Sequence, residues 1–454
     1  MPFVSINPAT GEEFFRAEGH APVQVDDILD AAAIAASAWQ AQPLAERLEL
    51  LRRVAQVLRQ QRDELARLIT MEMGKLKAEA QAEIEKCALA CDYYVEHAED
   101  FLADERIDTD ASDSRVVYQP LGTVLAVMPW NFPFWQALRC AVPALAAGNT
   151  VLLKHASSVP RCALAIEQVF ADAGCREGVF RTLLISSDTV DRVVADPRVQ
   201  GVSLTGSGTA GSAVAALAGE YLKKCVLELG GSDAFIVLAD ADLDAAVEQG
   251  LKSRFQNAGQ SCIAAKRFLL HAEIADAFLE RFVAGAEALV PGDPADEGTT
   301  LGPMARRGLR DELHQQVEDA VECGARVLTG GGPLEGPGAF YAPTVLDGIT
   351  PDMRAWSEEL FGPVATVVRV EDAEHAVTVA NASPLGLGGS VWTQDIERGA
   401  ALAAQLECGA AFVNGMVKSD PRLPFGGVKD SGYGRELSRH GLLEFVNAKT
   451  LWIA

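Results

Sequence analysis

From Gly122 onward the sequence alternates short apolar runs with segments of helical periodicity, and this alternation limits the possible folds more than any other feature of the chain. Two strands joined through a helix lie parallel in one sheet, and repeated units of this kind give a parallel sheet with helices on both faces. We therefore predict an α/β fold with one parallel sheet and a second α/β unit after it. The predicted strands are Thr123–Met128, Thr150–Leu153, Phe180–Ile185, Gly201–Leu204, Cys225–Leu229 and Phe235–Leu238 in the first unit, and Arg267–Leu270, Arg326–Leu328, Val364–Val370, Ser390–Trp392 and Ala411–Asn414 in the second.

The segments outside this alternation differ from it in composition and in the spacing of their apolar residues. From Asp26 to about Phe101 the chain is rich in alanine, has apolar residues at helical spacing and contains almost no Gly or Pro, which predicts long helices. Arg106 to Tyr118 alternates polar and apolar residues and predicts an exposed hairpin, while the tail Leu442–Ala454 ends in an apolar strand. Neither has an obvious partner nearby in the sequence, so we expect both to contribute to an oligomer, either a homodimer or a homotetramer.

Composition excludes several classes of function. A chain of 454 residues is too long for one hydrophobic core, so two or more packed units are expected. Its net charge of −24 disfavours nucleic acid, which requires clustered Lys and Arg. No apolar stretch approaches the ~20 residues that cross a bilayer, and no secretory signal is visible. The nine cysteines are scattered, as is typical of reduced thiols in a cytoplasmic enzyme, and with no histidines paired at ligand spacing we expect no metal.

The segment Gly206–Gly211 has the pattern Gly-x-Gly-x-x-Gly between a predicted strand and an Ala-rich helix. Glycines at this spacing let backbone N–H groups and a helix N-terminus face a pyrophosphate. The alternative is that they only make a turn, because the pattern by itself has little specificity. The same motif would make Glu228, about 20 residues further on, an acid that binds a ribose.

Cys262 differs from the other cysteines because the polar turn Gly259-Gln260-Ser261 precedes it. A nucleophilic thiol needs partial exposure and a stabilised thiolate, which a turn or a helix N-terminus can supply. The alternative is a small, buried apolar side chain, and this is what we expect of the remaining cysteines. The spacing alone leaves both interpretations open for Cys262.

Further polar residues stand at predicted strand ends and turns. Glu228 is either an exposed carboxylate at a strand end or an acid whose apolar surroundings raise its pKa and fit it to act as a general base. Asn131 is the amide of the rigid loop Pro129–Pro133 and is a candidate donor to a developing oxyanion. Glu358 and Glu359 precede a Gly-Pro break, which by itself predicts a helix end and a turn.

In this order the segments resemble the aldehyde dehydrogenase superfamily, and the resemblance runs from Asn7 to the last predicted strand. It implies a Rossmann-type cofactor domain, an α/β catalytic domain and a small β oligomerisation element. The implied cofactor domain is 1–104 with 119–228, the segment 413–435 packs near the active site, the catalytic domain is 229–412, and the oligomerisation element is 105–118 with 436–454. The motifs are Pro-Trp-Asn-Phe-Pro at 129–133, the Gly-Ser turn at 206–207, Glu-Leu-Gly-Gly at 228–231, Asn-x-Gly-Gln-x-Cys at 257–262, Glu-Glu-x-Phe-Gly-Pro at 358–363 and Pro-Phe-Gly-Gly-Val-Lys from 424.

The resemblance also implies roles for individual residues. Cys262 is the nucleophile, and Asn131 forms the oxyanion hole with the backbone N–H of Cys262. Glu228 is the base that activates the deacylating water, in place of the ribose role that spacing suggests. The cofactor is NAD or NADP, and both are expected to work because Ser157 stands where many NAD-preferring relatives have a Glu. The implied cofactor-binding residues are Trp130, Lys154, Ser157, Gly206, Ser207, Gly211, Glu359 and Phe361, the last two at the nicotinamide ribose and ring.

Within the superfamily the chain is similar to bacterial succinate-semialdehyde dehydrogenases of the shorter type. This implies that Arg139 and Ser419 bind the distal carboxylate of an aldehyde substrate. One branch of those enzymes has an Arg before the Asn of the Cys loop, where this chain has Gln256, so one cationic contact is missing unless Arg254 or Lys418 replaces it. Glutarate semialdehyde and uncharged aliphatic aldehydes are the alternative substrates.

Two other classes of function fit the sequence less well. A catalytically silent structural relative is expected to lack Cys262, Glu228 or Asn131, and all three are present. An acyltransferase that passes the acyl group to coenzyme A typically lacks the base, so Glu228 favours hydrolysis.

Overall fold

The computed structural model describes residues 2–454, in which helices and strands alternate along most of the chain. The α-helices of this range are α1 (Pro22–Gln40), α2 (Leu44–Gln60), α3 (Arg62–Met73), α4 (Lys77–Phe101), α5 (Pro133–Ala147), α6 (Pro160–Asp172), α7 (Ser187–Ala195), α8 (Gly208–Glu220), α9 (Leu243–Phe255), α10 (Ala275–Glu287), α11 (Arg307–Glu322), α12 (Arg354–Ser357), α13 (Ala373–Asn381), α14 (Ile396–Ala403) and α15 (Ser438–Leu443). Its strands are β1 (Pro2–Ile6), β2 (Glu13–Glu18), β3 (Glu105–Arg106), β4 (Asp113–Pro120), β5 (Thr123–Met128), β6 (Thr150–His155), β7 (Phe180–Thr182), β8 (Val199–Thr205), β9 (Lys224–Glu228), β10 (Asp233–Val237), β11 (Ala265–His271), β12 (Arg326–Thr329), β13 (Thr344–Asp347), β14 (Val364–Val370), β15 (Leu385–Gly386), β16 (Gly388–Trp392), β17 (Ala410–Val413), β18 (Val428–Lys429), β19 (Gly432–Tyr433) and β20 (Val446–Ile453).

The first large sheet has the strand order β19-β9-β8-β5-β6-β7. All neighbours are parallel except β19, which runs antiparallel to β9. The chain moves outward from β5 through β6 to β7, then returns to the other side of β5 with β8 and β9. The strand order therefore reverses between β5 and β8. In open α/β sheets the crevice at the carboxyl ends of the strands, beside such a reversal, is where ligands bind.

The second large sheet has the order β12-β13-β14-β11-β10-β16-β17 and is parallel except for β12. Only the segment Leu229–Ser232 separates the end of β9 from the start of β10. The carboxyl edge of the first sheet is thus joined directly to the amino edge of the second. The predicted α/β class, with a second unit after the first, is confirmed.

Helix α5 crosses the interior beside the first sheet and carries polar groups into it. The helix begins at Pro133, ends before Gly148 in a left-handed conformation with φ 101°, and is buried at every residue. Its apolar residues pack in one continuous core with the long helices α2 to α4. Because Gln136 and Arg139 lie on this buried helix, each must meet polar partners or a polar cavity inside the protein.

The strand β20 pairs antiparallel with β4 along its whole length, from Val446 opposite Pro120 to Ile453 opposite Asp113. With β3 these strands form a three-stranded sheet in the order β20-β4-β3. The predicted hairpin segment and the tail, which have no partner nearby in the sequence, thus pair with each other across most of the chain. Trp452 remains 54% exposed at the end of β20.

Gly211 lies in the first turns of α8 and packs against the end of β9. A Cβ atom at this position would lie 2.6 Å from Cδ2 and 3.2 Å from Cγ of Leu229, which is itself buried. Glycine is required here because the helix backbone approaches a side chain of the adjoining strand too closely for any other residue. Gly219 in the same helix is exposed, and a Cβ atom there would meet nothing within 4 Å.

We predict opposite effects on stability for alanine at these two glycines. Gly211→Ala should lower the free energy of unfolding by about 1–2 kcal/mol, since Leu229 must move out of a packed position. Gly219→Ala should raise it by up to ~1 kcal/mol, since alanine favours the helix. Urea denaturation of both variants measures the difference, and equal effects would contradict the packing role of Gly211.

Candidate active site

A groove of about 350 Å³ opens at the point where the strand order of the first sheet reverses. The first sheet contributes residues that directly follow β5 and β8, and the second sheet contributes residues that precede β11 and β14. The groove therefore lies between the carboxyl edge of one sheet and the amino edge of the other. Its lining residues are Pro129, Trp130, Asn131, Gln136, Thr205, Gly206, Ser207, Leu229, Gly230, Cys262, Leu309, Glu312, Leu313, Gln316, Glu359 and Phe361.

Most of the residues predicted to bind the cofactor line this groove. The rings of Trp130 and Phe361 meet edge to face with centroids 5.8 Å apart. Ser207 caps α8 by accepting a hydrogen bond from the backbone N–H of Ala210. Glu359 accepts hydrogen bonds from the backbone N–H of Gly231, at 3.2 Å, and from Lys266.

The structure places three predicted cofactor residues outside the lining of this groove. Gly211 packs against Leu229, as described above. Lys154 lies at the end of β6, where burial lowers its pKa. Ser157 is exposed in the loop between β6 and α6. Lys154 lies in β6 and Ser157 follows that strand. Strand β6 is next to β5, on the side of the sheet away from β8.

A second cavity of about 100 Å³ lies on the opposite side of Cys262. Cys262 and Gln136 line both cavities, so the thiol stands at their junction. The remaining lining residues of the second cavity are Lys86, Phe132, Trp135, Arg139, Ser253, Gln256, Ser261, Ile263, Ala264, Met416, Val417, Lys418, Ser419 and Phe425.

The loop that presents Cys262 is held in an unusual backbone conformation. Asn257, Ala258 and Gly259 all have positive φ, at 54°, 51° and 71°. Arg254 fixes this turn from within, donating to the backbone carbonyls of Gly259 at 2.6 Å and of Gly362 at 2.8 Å. Gly259 adopts this conformation freely, but Asn257 and Ala258 carry a Cβ atom and store strain that the surrounding bonds must offset.

Lys266 holds the carboxyl side of the same loop. Its ammonium donates to the backbone carbonyls of Ser261 and Cys262, each at 2.8 Å, and pairs with Glu359 at 2.9 Å. No role was predicted for Lys266, although a lysine at the start of a buried strand requires polar partners. Lys266 therefore connects the backbone of Cys262 to Glu359, a residue that lines the groove.

Asn131 is buried, and hydrogen bonds hold both its backbone carbonyl and its side-chain amide. Its backbone carbonyl accepts from Lys75 and from Asn257, both at 2.9 Å. Its side-chain amide donates to the carbonyl of Gln260 at 3.1 Å. Since an amide nitrogen carries two hydrogens, a second donor remains for the groove that Asn131 lines.

Burial raises the pKa of the Cys262 thiol to about 12, although the charges of Arg139 and Lys266 act to lower it. The thiol is therefore neutral at pH 7 in this structure, and the stabilised thiolate that nucleophilic attack requires is absent from it. The positive charges of Arg139 and Lys266 favour the thiolate, but the thiol must still lose its proton as it reacts.

Glu228 ends β9 in a buried position. Neither carboxylate oxygen has a hydrogen-bond partner within residues 2–454. Burial raises the pKa of this carboxyl well above its usual range, Arg139 opposes the rise, and Glu436 adds to it. A carboxyl in this environment has the raised pKa that a general base near neutral pH requires.

Arg139 lines the second cavity, as a substrate-binding residue must, but its charge is already paired. The guanidinium forms an ion pair with Glu436, donates to the hydroxyl of Thr205 at 3.4 Å, and lies 4.7 Å from the centroid of the Phe425 ring. No role was predicted for Glu436. The role of Arg139 in binding the substrate carboxylate stays a prediction, and Glu436 is the counter-ion that a guanidinium buried on α5 requires.

Ser419 is buried at the far end of the second cavity. Its hydroxyl accepts hydrogen bonds from Lys86 at 2.6 Å and from the indole N–H of Trp135 at 3.2 Å. Arg254 and Lys418 were the two residues that could replace the cation missing at Gln256. Arg254 donates its hydrogen bonds to the Cys262 loop and does not line the second cavity. Lys418 does line this cavity and is exposed to solvent. Sequence reasoning missed Lys86, which gives no local signal within the long helix α4.

Residues 2–454 contain neither a candidate metal site nor a helix that could span a membrane. Within this range no three His, Cys, Asp or Glu side chains converge as a metal site requires. No helix of the same range combines the length and the apolar character needed to cross a membrane.

Comparisons with known proteins agree with this geometry. The model of the aldehyde dehydrogenase family matches residues 1–451. The chain is 50% identical over 454 residues to the probable succinate-semialdehyde dehydrogenase (NADP+) of Synechocystis sp., covering 100% of both chains. It is 50% identical over 449 residues to a succinate semialdehyde dehydrogenase (NAD(P)+) of Escherichia coli K12, covering 99% and 97%. The crystal structure of succinic semialdehyde dehydrogenase from Streptococcus pyogenes in complex with NADP+ matches with a TM-score of 0.98 at 40% identity, covering 99% of both chains.

The chain therefore belongs to the aldehyde dehydrogenase family, and the resemblance drawn from its motifs is confirmed. It is an enzyme that oxidises aldehydes.

The raised pKa of Cys262 predicts how its alkylation depends on pH. Below the pKa the thiolate fraction rises tenfold per pH unit, so the rate of alkylation by iodoacetamide should keep rising from pH 7 to pH 9.5 without a plateau. Mass spectrometry of the peptide containing Cys262 gives the rate, and Cys262→Ala supplies the background from the other thiols. A plateau at or below pH 8 would show that the free enzyme stabilises the thiolate.

Proposed function

We propose that this enzyme oxidises succinate semialdehyde to succinate with NAD or NADP. The supporting observation is the position of Cys262 between two cavities of different character. One cavity is an open groove at the reversal of a parallel sheet, and the other is small and ends at Lys86, Arg139 and Ser419. A short aldehyde with a carboxylate at its far end matches the second cavity, and the relatives described above carry the same activity in their names.

The groove has the groups that a nicotinamide dinucleotide requires. The N-terminus of α8 suits phosphate, the rings of Trp130 and Phe361 suit an aromatic ring, and Glu359 suits ribose hydroxyls. We infer that Lys154 and Ser157 extend this site toward the second nucleotide and that both cofactors work. The loop at Ser157 provides a hydroxyl and no carboxylate to repel a 2′-phosphate.

The first half of the reaction is assigned to Cys262 and Asn131. As the sulfur adds to the aldehyde carbon, the S–H bond breaks and its proton passes to solvent, while the C=O π electrons move to the oxygen, which becomes an alkoxide. The free N–H of Asn131 and the backbone N–H of Cys262 stabilise that charge, because fixed donors in a buried site need no reorganisation. The hydride that then leaves the substrate carbon is accepted by the nicotinamide when the cofactor is bound. The chain is left acylated on Cys262.

The second half is assigned to Glu228. Hydrolysis of the thioester requires a water that loses a proton as it attacks, and a carboxyl with a raised pKa accepts that proton. Collapse of the tetrahedral adduct breaks the C–S bond, releases the acid and returns the proton to the thiol. Attack and hydrolysis thus depend on different residues.

The substrate assignment is tested by steady-state kinetics of the unmodified enzyme. The value of kcat/KM for succinate semialdehyde should exceed that for butyraldehyde at least tenfold, since a hydrogen bond to a charged group contributes about 1.5–3 kcal/mol. Both cofactors should support turnover. Equal values for the two aldehydes would contradict the proposed substrate, and discrimination against NADP by a factor of about 10³ would contradict the proposed cofactor range.

The separate roles of Cys262 and Glu228 are tested by two variants. Cys262→Ala should abolish both turnover and any burst of reduced cofactor. Glu228→Gln should keep a burst equivalent to one turnover, while steady turnover falls roughly 10²-fold or more, as for loss of a general base. Stopped-flow absorbance of the reduced cofactor distinguishes these outcomes, and normal steady turnover in Glu228→Gln would refute the assignment.

We further propose that the enzyme is a cytoplasmic homodimer or homotetramer. The exposed Trp452 and Ile453 end an edge strand whose outer side is unpaired within residues 2–454, and such edges favour pairing between subunits. All nine cysteines are free, as in a reducing compartment. A fully active monomer in sedimentation velocity, or recovery from the cell envelope on fractionation, would contradict these assignments.

A further inference from the structure

Lys86 extends from α4 into the end of the second cavity that is far from Cys262. Its ammonium donates to the hydroxyl of Ser419 at 2.6 Å and lies 4.2 Å from the centroid of the Trp135 ring. An ammonium has three donors, so the bond to Ser419 leaves two available to a ligand in the cavity. The contact with the indole ring partly stabilises the charge without neutralising it.

The charged groups around Lys86 are occupied by other partners. On its own helix, Glu83 pairs with Lys75 and accepts from the backbone N–H groups that begin α5. Across the cavity, Asp420 accepts two hydrogen bonds from Arg422, at 2.7 and 2.8 Å. Lys86 itself forms no ion pair within residues 2–454.

The other cations near this end of the cavity do not replace Lys86. Arg139 on α5 is neutralised by its ion pair with Glu436. Lys418 is exposed, where a charge is well hydrated and contributes little to binding. Gln256 is uncharged. Lys86 is thus the cation in the lining that is both sheltered from solvent and free of a carboxylate.

We propose that Lys86, together with Ser419, binds the carboxylate of the substrate and so determines specificity for acidic aldehydes. A sheltered ammonium without a counter-ion is costly, and a ligand that supplies the counter-ion removes the cost. The Ser419 hydroxyl accepts from Lys86 and donates its own proton to the same carboxylate. This inference rests on the proposed function, because it names the group that would recognise that substrate.

The binding of a carboxylate should depend on the charge of Lys86. Burial lowers the pKa of this lysine to about 8, the nearby charge of Arg139 lowers it further, and Cys87, Glu83 and Asp420 raise it. Below pH 8 the ammonium is charged and binds carboxylate, and above pH 8 it becomes neutral. Specificity for the acidic aldehyde should therefore be lost as pH rises through about 8. A substrate without a carboxylate should show no such loss.

The test compares kcat/KM for succinate semialdehyde with kcat/KM for butyraldehyde between pH 6 and pH 10. The ratio cancels the titration of Cys262 and Glu228, which act on both aldehydes. In the wild type the ratio should be constant at low pH and fall above about pH 8. In Lys86→Met, which keeps the apolar stem over Trp135, the ratio should fall about 10- to 100-fold and no longer change with pH. In Lys86→Arg, which stays charged, the fall above pH 8 should disappear.

The outcomes separate this inference from the proposed function. A wild type with no preference for succinate semialdehyde would overturn the proposed substrate. A wild type that prefers it, with the preference unchanged in Lys86→Met, would overturn the role of Lys86 alone. An equal loss for both aldehydes in Lys86→Met would show a structural role. A loss of the preference in Lys418→Met, with Lys86→Met unaffected, would place the anchor at the cavity mouth.

Discussion

The arrangement of the site depends on one close approach, in which the short link between the two sheets passes beneath the Cys262 loop. A Cβ atom at Gly231 would lie less than 3.0 Å from the backbone carbonyl of Cys262, and one at Gly230 would meet the carboxylate of Glu359. A side chain at Gly231 would displace the loop, and a side chain at Gly230 would displace the carboxylate of Glu359. Because β9 and β10 belong to different sheets, this contact fixes the nucleophile relative to both of them. The groove and the second cavity exist only where the two sheets are held this closely.

Three ion pairs surround this junction. The first two described below are buried on both sides, whereas the third has a partly exposed Glu359, and the last two join elements that are distant in sequence. Lys75 pairs with Glu83 beneath Asn131, Arg139 pairs with Glu436 beside Glu228, and Lys266 pairs with Glu359 beside Cys262. Removing one partner of a buried pair typically costs about 3–5 kcal/mol, because the other charge is left without compensation. The groups that position the chemistry are therefore also groups on which stability depends.

Periodicity and motif order were sufficient to predict the α/β class, most of the strands and several of the residues that line the groove, because each of these depends on residues that are neighbours in the sequence. The lining residues contributed by α11, such as Leu309 and Gln316, were not predicted. The pairing of β20 with β4 was missed because it joins segments at opposite ends of the sequence. The role of Gly211 in a phosphate-binding turn stays a prediction, and its close contact with Leu229 could not be predicted from the local pattern. The position of Lys86 in the second cavity and the pairing of Arg139 with Glu436 were not predicted. Both depend on tertiary packing between distant segments, which no local sequence pattern indicates.

The pairing of β20 with β4 has a consequence for how the chain is made. A ribosome synthesises β4 early, and both large sheets must then be translated before β20 can leave the exit tunnel. Until that moment β4 presents an open edge on a nascent chain, and open strand edges favour association with other chains. Completion of this small sheet is necessarily a late step, because its contacts span most of the sequence. The central strands of the first large sheet, β5 to β9, lie close together in sequence and have no such delay.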